Sequence, residues 1–476
     1  MQKKFKLVFI VISLLLPVFV FAGNGGAGRT EIKTQAIDDF LKQLSDKGFS
    51  GSVLVSDGNS VFNKCYGFAD RENKTKCSEH TVYDIGSVTK QFTGAAILKL
   101  EMQGKLSPSD TIDKYFSNLP ADKKAITIHQ LLTHSSGLPP AIGDDYEALG
   151  REAFLKRAFG AKLNSKPGEE YDYSNVGYSI LAAIIEKVSG STYEQFLNEN
   201  LFAPAGMKET GYTIPKWKTQ QIAVGYKGEN KWGRPTEKKW DSNAPFWNLL
   251  GNGGLLSTTA DLYKWHQALL TDKILNKNAK EQYYKRHIEE GANAGTYYGY
   301  GWALFPTPRK TTLIAHNGGN GIFFCDFLRY TEEKVTIILL SNSMRREFEA
   351  ISVEIARSIF SKDHKPVIEV NTSPPVKTTL ENHPHVGLIR GLMTTITSQD
   401  KDAVKKFAEV NFAEDFLNYV PIEKHLEILS QIGGELKDFE IESVTINGIE
   451  TLIRFKDKEN EMLIEIEKGK ILGIRF

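Results

Sequence analysis

The order of the predicted strands and helices constrains the fold of this chain more than any other feature of its sequence. Two alternating segments, residues 51–56 and 60–66, flank Asp57-Gly58, a pair typical of a hairpin turn. Helical patterns follow around residues 87–100, 127–133, 174–188 and 260–270. Strand patterns return only at residues 298–305, 311–315, 322–329 and 334–340. This order predicts an α+β fold, in which an antiparallel sheet assembles from both ends of the domain and a helical subdomain flanks it.

A second, smaller domain is predicted at the C-terminal end. Residues 362–384 are rich in proline, lysine and threonine, which is typical of a linker. Residues 385–476 then show a helical pattern up to residue 429 and three alternating strands from residue 439 onward. This pattern resembles the small, cone-shaped α+β fold of nuclear-transport-factor-like accessory domains.

Residues 1–22 have the three parts of a secretory signal peptide. Three lysines among the first six residues give a positive start, an apolar run spans residues 7–16, and Val20-Phe21-Ala22 offers a cleavage site. The run is shorter than the ~20 residues that a membrane span needs, and an uncleaved N-terminal anchor is the alternative. We expect residues 23–361 to form the exported main domain, periplasmic or extracellular, with no membrane span after signal removal.

Composition narrows the classes of function. The 59 Lys and Arg residues against 58 Asp and Glu give a net charge of +1, whereas a nucleic-acid binder usually carries a basic excess. Three cysteines in 476 residues exclude a disulfide-built scaffold. Cys65 and Cys77 either form a disulfide or remain free thiols, and the sequence does not decide between the two. No His/Cys spacing predicts a zinc site, and neither a metal nor an organic cofactor is expected.

The first stretch that carries chemistry is Ser87-Val88-Thr89-Lys90. A helix that starts here places Ser87 and Lys90 on one face, three residues apart. A serine hydroxyl becomes a strong nucleophile when a neighbouring base takes its proton, and a buried lysine amine is able to act as that base. The same spacing occurs at Ser398 and Lys401. On spacing alone, a helix-capping serine beside a solvated lysine is therefore the commoner explanation.

The second stretch is Tyr173-Ser174-Asn175. A tyrosine phenol is able to relay protons, and an asparagine amide is able to hold a substrate carbonyl. The alternative is a turn before a helix, in which Ser174 or Asn175 is the cap.

The third stretch is His316-Asn317-Gly318-Gly319, directly after a predicted strand. His316 is able to pair with a substrate carboxylate or to tune the tyrosine. Gly318 and Gly319 allow the backbone to approach a substrate closely, with an N–H pointing into the site. The alternative is a glycine-rich hairpin loop with His316 on the surface.

Taken in order, S-x-x-K, Y-x-N and H-x-G make the chain resemble the serine β-lactamase and penicillin-binding protein superfamily. The similar branch contains class C β-lactamases, D-Ala-D-Ala carboxypeptidases and related esterases. The resemblance runs from about residue 33 to residue 361. It includes the stretches Tyr83-Asp84-Ile85-Gly86, Leu131-Leu132-Thr133-His134-Ser135-Ser136-Gly137-Leu138 and Gly253-Gly254-Leu255-Leu256-Ser257-Thr258. It implies a β-lactamase/transpeptidase-like fold for this region.

The resemblance also implies roles for the matching positions. Ser87 would be the acylated nucleophile and Lys90 its base partner. Tyr173 would shuttle protons to the leaving group and for the deacylating water, and Asn175 would bind the substrate amide. The backbone N–H groups of Ser87 and Gly319 would form the oxyanion hole.

Two histidines need separate interpretation. His316 stands where many members carry the lysine of a K-T-G motif, and a histidine is only partly charged near neutrality. This departure favours a peptidase or esterase over a dedicated β-lactamase. His134 could suggest a Ser-His-Asp triad, but the resemblance implies that its segment is a structural turn.

We therefore expect an exported serine hydrolase that forms an acyl-enzyme on Ser87. Its substrates would be small molecules, D-Ala-D-Ala-like peptides or esters, with peptidoglycan as a candidate and no nucleic-acid partner. A β-lactamase is the alternative within this class. Outside the class, the alternatives are a non-catalytic penicillin-binding or sensing module and a cell-wall-binding protein that depends on its C-terminal domain.

Overall fold

The computed structural model describes residues 32–238, 245–291, 294–361, 363–368, 370, 376–413, 416–417, 422–436, 439–456 and 461–475. The predicted signal peptide, residues 1–22, lies outside this described part. The chain divides near residue 370 into two compact units. Among the described helices, none combines the length and the apolar character that a bilayer crossing requires.

The first unit is built on an antiparallel sheet of eight strands. The strands of this unit are β1 (Gly51–Ser56), β2 (Val61–Tyr66), β3 (Phe68–Asp70), β4 (Thr75–Lys76), β5 (Tyr83–Asp84), β6 (Gly225–Lys227), β7 (Asn230–Gly233), β8 (Leu256–Ser257), β9 (Ile288–Glu289), β10 (Tyr297–Tyr298), β11 (Ala303–Pro306), β12 (Thr312–Gly319), β13 (Phe324–Tyr330) and β14 (Val335–Ser341). The main sheet has the order β2-β1-β14-β13-β12-β11-β10-β9. Gly51 pairs with Ser341 across β1 and β14, which confirms a sheet assembled from both ends of the domain.

Helices fill the interval between the early and the late strands. They are α1 (Thr34–Asp46), α2 (Thr89–Met102), α3 (Ile128–Leu132), α4 (Arg151–Gly160), α5 (Asn175–Ser189), α6 (Tyr193–Leu197), α7 (Ala203–Ala205), α8 (Thr259–Leu269), α9 (Lys277–Tyr283), α10 (Arg346–Glu349) and α11 (Ile351–Phe360). Helix α2 is buried almost all round, as expected for a helix inside a core. Helix α5 begins where Ser174 Oγ accepts the N–H of Gly177, and it ends at Gly190, which has a φ of +76°.

The second unit is a smaller α+β body. Its elements are β15 (Val376–Thr378), α12 (Val386–Thr397), α13 (Lys401–Asn411), α14 (Ile422–Glu435), β16 (Ile441–Asn447), β17 (Glu450–Phe455), β18 (Glu461–Glu467) and β19 (Lys470–Arg475). The strands form one antiparallel sheet in chain order. Helices and sheet share one apolar core that includes Ile389, Leu392, Ile453 and Ile464.

The structure corrects two expectations for this second unit. Four strands, not three, follow residue 439, because the three predicted turns separate four extended segments. The unit also begins earlier than residue 385. Within the stretch expected to be a linker, Val376–Thr378 pairs with β16, and a single 3-10 turn spans Leu380–Asn382.

The question that the sequence left open for the cysteines is answered in the first unit. A disulfide joins Cys65 and Cys77, with their Cα atoms 5.8 Å apart. Cys325 is free and buried in β13, as a small core residue would be.

Candidate active site

Ser87 and Lys90 lie side by side at the start of helix α2. Ser87 belongs to the 3-10 turn Gly86–Val88, which leads directly into α2. Lys90 Nζ lies 3.0 Å from Ser87 Oγ. Lys90 is fully buried, and burial lowers the pKa of its ammonium well below the usual range, although Asp145 acts in the opposite direction. The surroundings therefore favour a neutral amine beside the serine hydroxyl.

Two other contacts orient this amine. Lys90 Nζ donates to Asn175 Oδ1 at 2.7 Å and to the backbone carbonyl of Asn252 at 2.8 Å. A neutral amine has two N–H bonds and one lone pair, whereas both of these oxygens are acceptors. When they use the two N–H bonds, the lone pair is left for the O–H of Ser87. The geometry thus lets Lys90 accept the proton of Ser87.

Glycines bring the turn that carries Ser87 against the end of strand β12. Gly86 has a φ of +49°, and a Cβ there would lie 2.7 Å from the backbone nitrogen of Gly319. A Cβ on Gly318 would lie 2.7 Å from the backbone nitrogen of Ser87. Real side chains do not fit at these distances, so glycine at both positions allows the close approach. The backbone nitrogens of Ser87 and Gly319 consequently flank one small region.

A buried carboxyl group holds the same two segments together. Asp84 Oδ1 accepts the N–H of Gly86 at 2.7 Å, and Asp84 Oδ2 accepts from Asn320 Nδ2 at 3.1 Å. Asp84 thus connects the residue before Ser87 to the residue after Gly319. Burial raises the pKa of Asp84 to about 7, because a charged carboxylate is poorly solvated there.

Tyr173 flanks the amine of Lys90 from another side. The centroid of its ring lies 4.7 Å from Lys90 Nζ, and the ring stacks on His134 at a centroid distance of 4.1 Å. His134 is fully buried, and its Nδ1 accepts the N–H of Ser174 at 3.0 Å, so it holds the segment that carries Tyr173. Desolvation raises the pKa of Tyr173, so its phenol keeps its proton at neutral pH.

His316 lies inside strand β12, not in a surface loop. The strand extends through Gly319, beyond its predicted end at residue 315, and His316 pairs with Phe327 of β13. Its side chain is 6% exposed. His316 Nε2 lies 2.9 Å from Tyr298 Oη, and Nδ1 lies 2.6 Å from the carbonyl oxygen of Asn317. Burial is the main cause that lowers the pKa of His316 to about 3, so the ring is neutral at pH 7.

Two further carboxyl groups act on the site. The carboxyl group of Asp145 raises the pKa of both Lys90 and Asp84, and burial raises the pKa of Asp145 itself to about 6. Glu290 acts on Tyr173, and burial raises the pKa of Glu290 to about 7. Both groups are half-buried, and both bring negative charge when ionised.

The structure brings most of the predicted site residues together. Ser87, Tyr173 and Asn175 surround the amine of Lys90. The predicted residues His316, Gly318 and Gly319 lie on the adjacent strand β12. The second S-x-x-K stretch is not part of this site, because Ser398 and Lys401 are exposed in the other unit.

Sequence reasoning missed three groups that complete the arrangement. Asp84 lies two residues before Gly86, in a stretch that supports the family resemblance, but no role for its carboxyl group was predicted. Asn252 contributes its backbone carbonyl, which any residue type supplies. Tyr298 lies on β10, remote in sequence from His316, and no pattern connects the two.

Metal ligation in proteins requires several His, Cys, Asp or Glu side chains that converge on one point. Within residues 32–238, 245–291 and the later described ranges, no group of three or more His, Cys, Asp or Glu side chains is placed to hold a metal ion.

A family comparison matches most of the first unit. The model of the family described as Beta-lactamase matches residues 37–358. The chain is 29% identical over 346 residues to Penicillin-binding protein 4* of Bacillus subtilis (strain 168), which covers 69% of this chain and 76% of that protein. It is 30% identical over 328 residues to Protein flp of Staphylococcus aureus (strain MW2), which covers 66% of this chain and 64% of that protein.

A comparison of folds extends over both units. The structure of the octameric penicillin-binding protein homologue from Pyrococcus abyssi covers 92% of this chain and 95% of its own, with a TM-score of 0.62. The two sequences are 22% identical, so this likeness shows the fold alone. The predicted α+β class, with a large antiparallel sheet and a small additional domain, is confirmed.

Proposed function

The chain belongs to the beta-lactamase family, whose members are serine hydrolases, and we propose that it is an exported acyl hydrolase that forms an acyl-enzyme on Ser87. Its acyl donors are esters or peptides of the D-Ala-D-Ala type. One observation carries the proposal. Lys90 Nζ lies 3.0 Å from Ser87 Oγ while two acceptors occupy its N–H bonds, which is the arrangement that a general base beside a nucleophile requires.

Acylation begins with the proton of Ser87. Lys90 takes this proton as Ser87 Oγ forms a bond to the substrate carbonyl carbon, and the carbonyl oxygen becomes an oxyanion. The backbone N–H groups of Ser87 and Gly319 flank the region where that oxygen would lie, and preorganised donors of this kind stabilise developing charge. The oxyanion then collapses, and the bond from the carbonyl carbon to the leaving group breaks.

Tyr173 is the acid that the leaving group needs. Its phenol is protonated because desolvation raises its pKa, so it is able to donate a proton to the departing alcohol or amine. Lys90, now an ammonium close to the ring of Tyr173, then returns a proton to the phenolate. This transfer restores the neutral amine and the neutral phenol.

Deacylation uses the same groups. Water attacks the acyl carbon, its proton passes to Lys90 or through Tyr173, and the bond from the acyl carbon to Ser87 Oγ breaks. Ser87 recovers its proton and a carboxylic acid leaves. Asn175, which already meets Lys90 with its Oδ1, is proposed to hold the substrate amide with its remaining donors.

Export is supported by two features of different kinds. Residues 1–22 have the pattern of a signal peptide, and a disulfide joins Cys65 and Cys77, which is typical of proteins that fold in an oxidising compartment. The mass of the protein recovered from an expressing host tests this part. We expect a chain that begins at Gly23, and a retained leader would contradict it.

The catalytic part is tested by turnover of a neutral ester. The full mature chain should release p-nitrophenol from p-nitrophenyl acetate, and Ser87→Ala should lose at least about 10³-fold in kcat/KM, because the nucleophile is gone. Ser398→Ala is the matched control and should retain full activity, because Ser398 is exposed in the second unit. Equal turnover by the parent protein and Ser87→Ala would overturn the proposal.

A penicillin distinguishes the narrower activities that the family includes. Rapid loss of the drug would indicate a β-lactamase, and a long-lived adduct on Ser87 would indicate a penicillin-binding peptidase. Ester turnover without either reaction would indicate an esterase. Absence of every reaction would favour the non-catalytic binding or sensing alternative.

A further inference from the structure

The hydrogen bonds of His316 leave this residue without a donor for a substrate. A carbonyl oxygen only accepts, so the contact at 2.6 Å with Asn317 places the ring hydrogen on Nδ1. Nε2 then carries the lone pair and accepts from the hydroxyl of Tyr298 at 2.9 Å. Both ring nitrogens are occupied, and the ring is neutral.

Recruiting His316 to bind an anion would disturb this pair at a cost. Tyr298 is 1% exposed, so its hydroxyl would lose the contact with His316 inside the protein and keep only the one with Tyr178. His316 would also have to become charged while it is buried, which desolvation opposes. The position that carries a lysine in many related proteins is therefore not a ready anion site here.

Two carboxyl groups, those of Asp145 and Glu290, lie near the catalytic amine and the ring of Tyr173. Next to Asp145, the carbonyl of Asp144 accepts from Asn248 Nδ2 at 2.7 Å. Asn248 in turn accepts from Asn252 Nδ2 at 2.7 Å, and the carbonyl of Asn252 holds Lys90. This chain of contacts ties the segment that carries Asp145 to the site, and Asp145 acts on the pKa of Lys90.

Glu290 occupies the side of Tyr173. The hydroxyl of Tyr171 donates to Glu290 Oε1 at 3.4 Å, and the ring of Tyr171 lies 5.8 Å from that of His134, on which Tyr173 stacks. A carboxylate on a substrate bound at Ser87 would be repelled by these two carboxyl groups when they are ionised.

We infer that the site takes acyl donors that have no carboxylate beside the scissile carbonyl, that is, uncharged esters, thioesters and amides. The inference rests on the proposed acyl hydrolase and narrows its substrates. It places esters above peptides with a free C-terminal carboxylate and above penicillins, which carry a carboxylate beside the reactive ring.

A matched pair of thioesters tests this inference. Both compounds carry the same phenylacetyl group, one on thioglycolate and one on the methyl ester of thioglycolate, so they differ by one negative charge. In each reaction Ser87 Oγ bonds to the acyl carbon, the C–S bond breaks, the thiol leaves with a proton, and water releases phenylacetate. Thiol release is followed with a disulfide reagent, and each kcat/KM is divided by the rate constant for hydroxide-catalysed hydrolysis.

The full mature chain should prefer the methyl ester by at least about tenfold in this corrected kcat/KM. Equal rates, or a preference for the acid, would overturn the inference while leaving the acyl hydrolase in place. If neither thioester is hydrolysed faster by the parent protein than by Ser87→Ala, the proposed function itself fails. The two failures are therefore distinguishable in one experiment.

Two variants assign the preference to residues. His316→Lys places a cation at the strand position and should raise the relative rate of the acid at least about tenfold. Asp145→Asn removes one ionisable carboxyl group and should raise the same ratio a few-fold. This variant does not require the fold to bury a new lysine, as His316→Lys does. An unchanged ratio in both folded variants would contradict the roles given to His316 and Asp145.

Discussion

The chain carries the spacing S-x-x-K twice, and only one copy lies among buried polar groups. At the first copy, Lys90 is fully buried and meets Ser87 Oγ at 3.0 Å. At the second copy, Ser398 and Lys401 are both exposed. Ser398 Oγ donates to the carbonyl of Thr395 at 2.7 Å, a local bond that serines commonly form at helix ends. The spacing alone only places the two side chains near each other on a helix. Burial and hydrogen-bond partners decide whether they are able to react.

The two units also differ in how many titratable side chains are buried together. The described core of the second unit is apolar apart from a few groups, and it packs residues such as Leu392 and Ile464. In the first unit, Asp84, Lys90 and His316 are all buried next to one another's segments. Buried titratable groups are costly unless hydrogen bonds compensate them, so their concentration at one place marks the site more clearly than the fold does.

The largest difference in kcat/KM is expected between two variants that each remove one of the two lysines. Lys90→Ala takes away the base and should lower kcat/KM for the neutral thioester by about 10²- to 10⁴-fold. Lys401→Ala removes an exposed side chain and should leave kcat/KM unchanged. Steady-state kinetics with circular dichroism as the check on folding measures both. Similar losses in the two variants would contradict the distinction.

The pH dependence should report the protonation of Lys90. The ammonium has no lone pair, so kcat/KM should rise with pH, by about tenfold per unit below the pKa of Lys90. Burial lowers that pKa, so the plateau should be reached at a pH where an ordinary exposed lysine is still protonated. The profile is measured with the neutral thioester, which does not titrate.

Glu290 provides the control for this profile, because its pKa of about 7 lies in the measured range. The rise should persist in Glu290→Gln. A plateau reached only above pH 10, or a rise that disappears in Glu290→Gln, would argue against Lys90 as the base.

A smaller effect on kcat is expected when Asp84, which joins Gly86 to Asn320, is changed. In Asp84→Asn one oxygen still accepts from Gly86, but the new NH₂ group faces the donor Asn320 Nδ2. The contact between the turn with Ser87 and the end of β12 should loosen, and kcat should fall about tenfold with a smaller change in KM.

The second S-x-x-K stretch again offers the matched change. Asp400 lies inside it and accepts the N–H groups of Asp402 and Ala403 at the start of α13, and asparagine caps helices about as well as aspartate does. Asp400→Asn should therefore leave kcat and thermal stability unchanged. A parent-like kcat in Asp84→Asn would show that Asp84 does not position the nucleophile.

Much of the fold followed from hydrophobic periodicity. The hairpin around Asp57-Gly58 and the order of late strands predicted a sheet made from both ends, and the pairing of β1 with β14 confirms it. The strand count in the second unit was wrong although its turns were identified. The end of β12 was also missed, because glycines such as Gly318 usually end strands, whereas here Gly318 allows contact with Ser87.

The candidate site was predictable where side chains follow a spacing. Ser87 with Lys90, and Tyr173 with Asn175, are pairs within one turn, so sequence places each pair together. The contacts of Lys90 with Asn252 and of His316 with Tyr298 join distant strands and loops. They depend on packing, and no local pattern encodes them.

The central claim is that Ser87, and no other serine, becomes acylated. The full mature chain is mixed with the neutral thioester, quenched rapidly in acid, and measured by intact-protein mass and peptide mapping, with Ser87→Ala and Ser398→Ala alongside. We expect one phenylacetyl group on the peptide that contains Ser87, retained in Ser398→Ala and absent in Ser87→Ala. An adduct that persists in Ser87→Ala, or that maps to the peptide with Ser398, would contradict it.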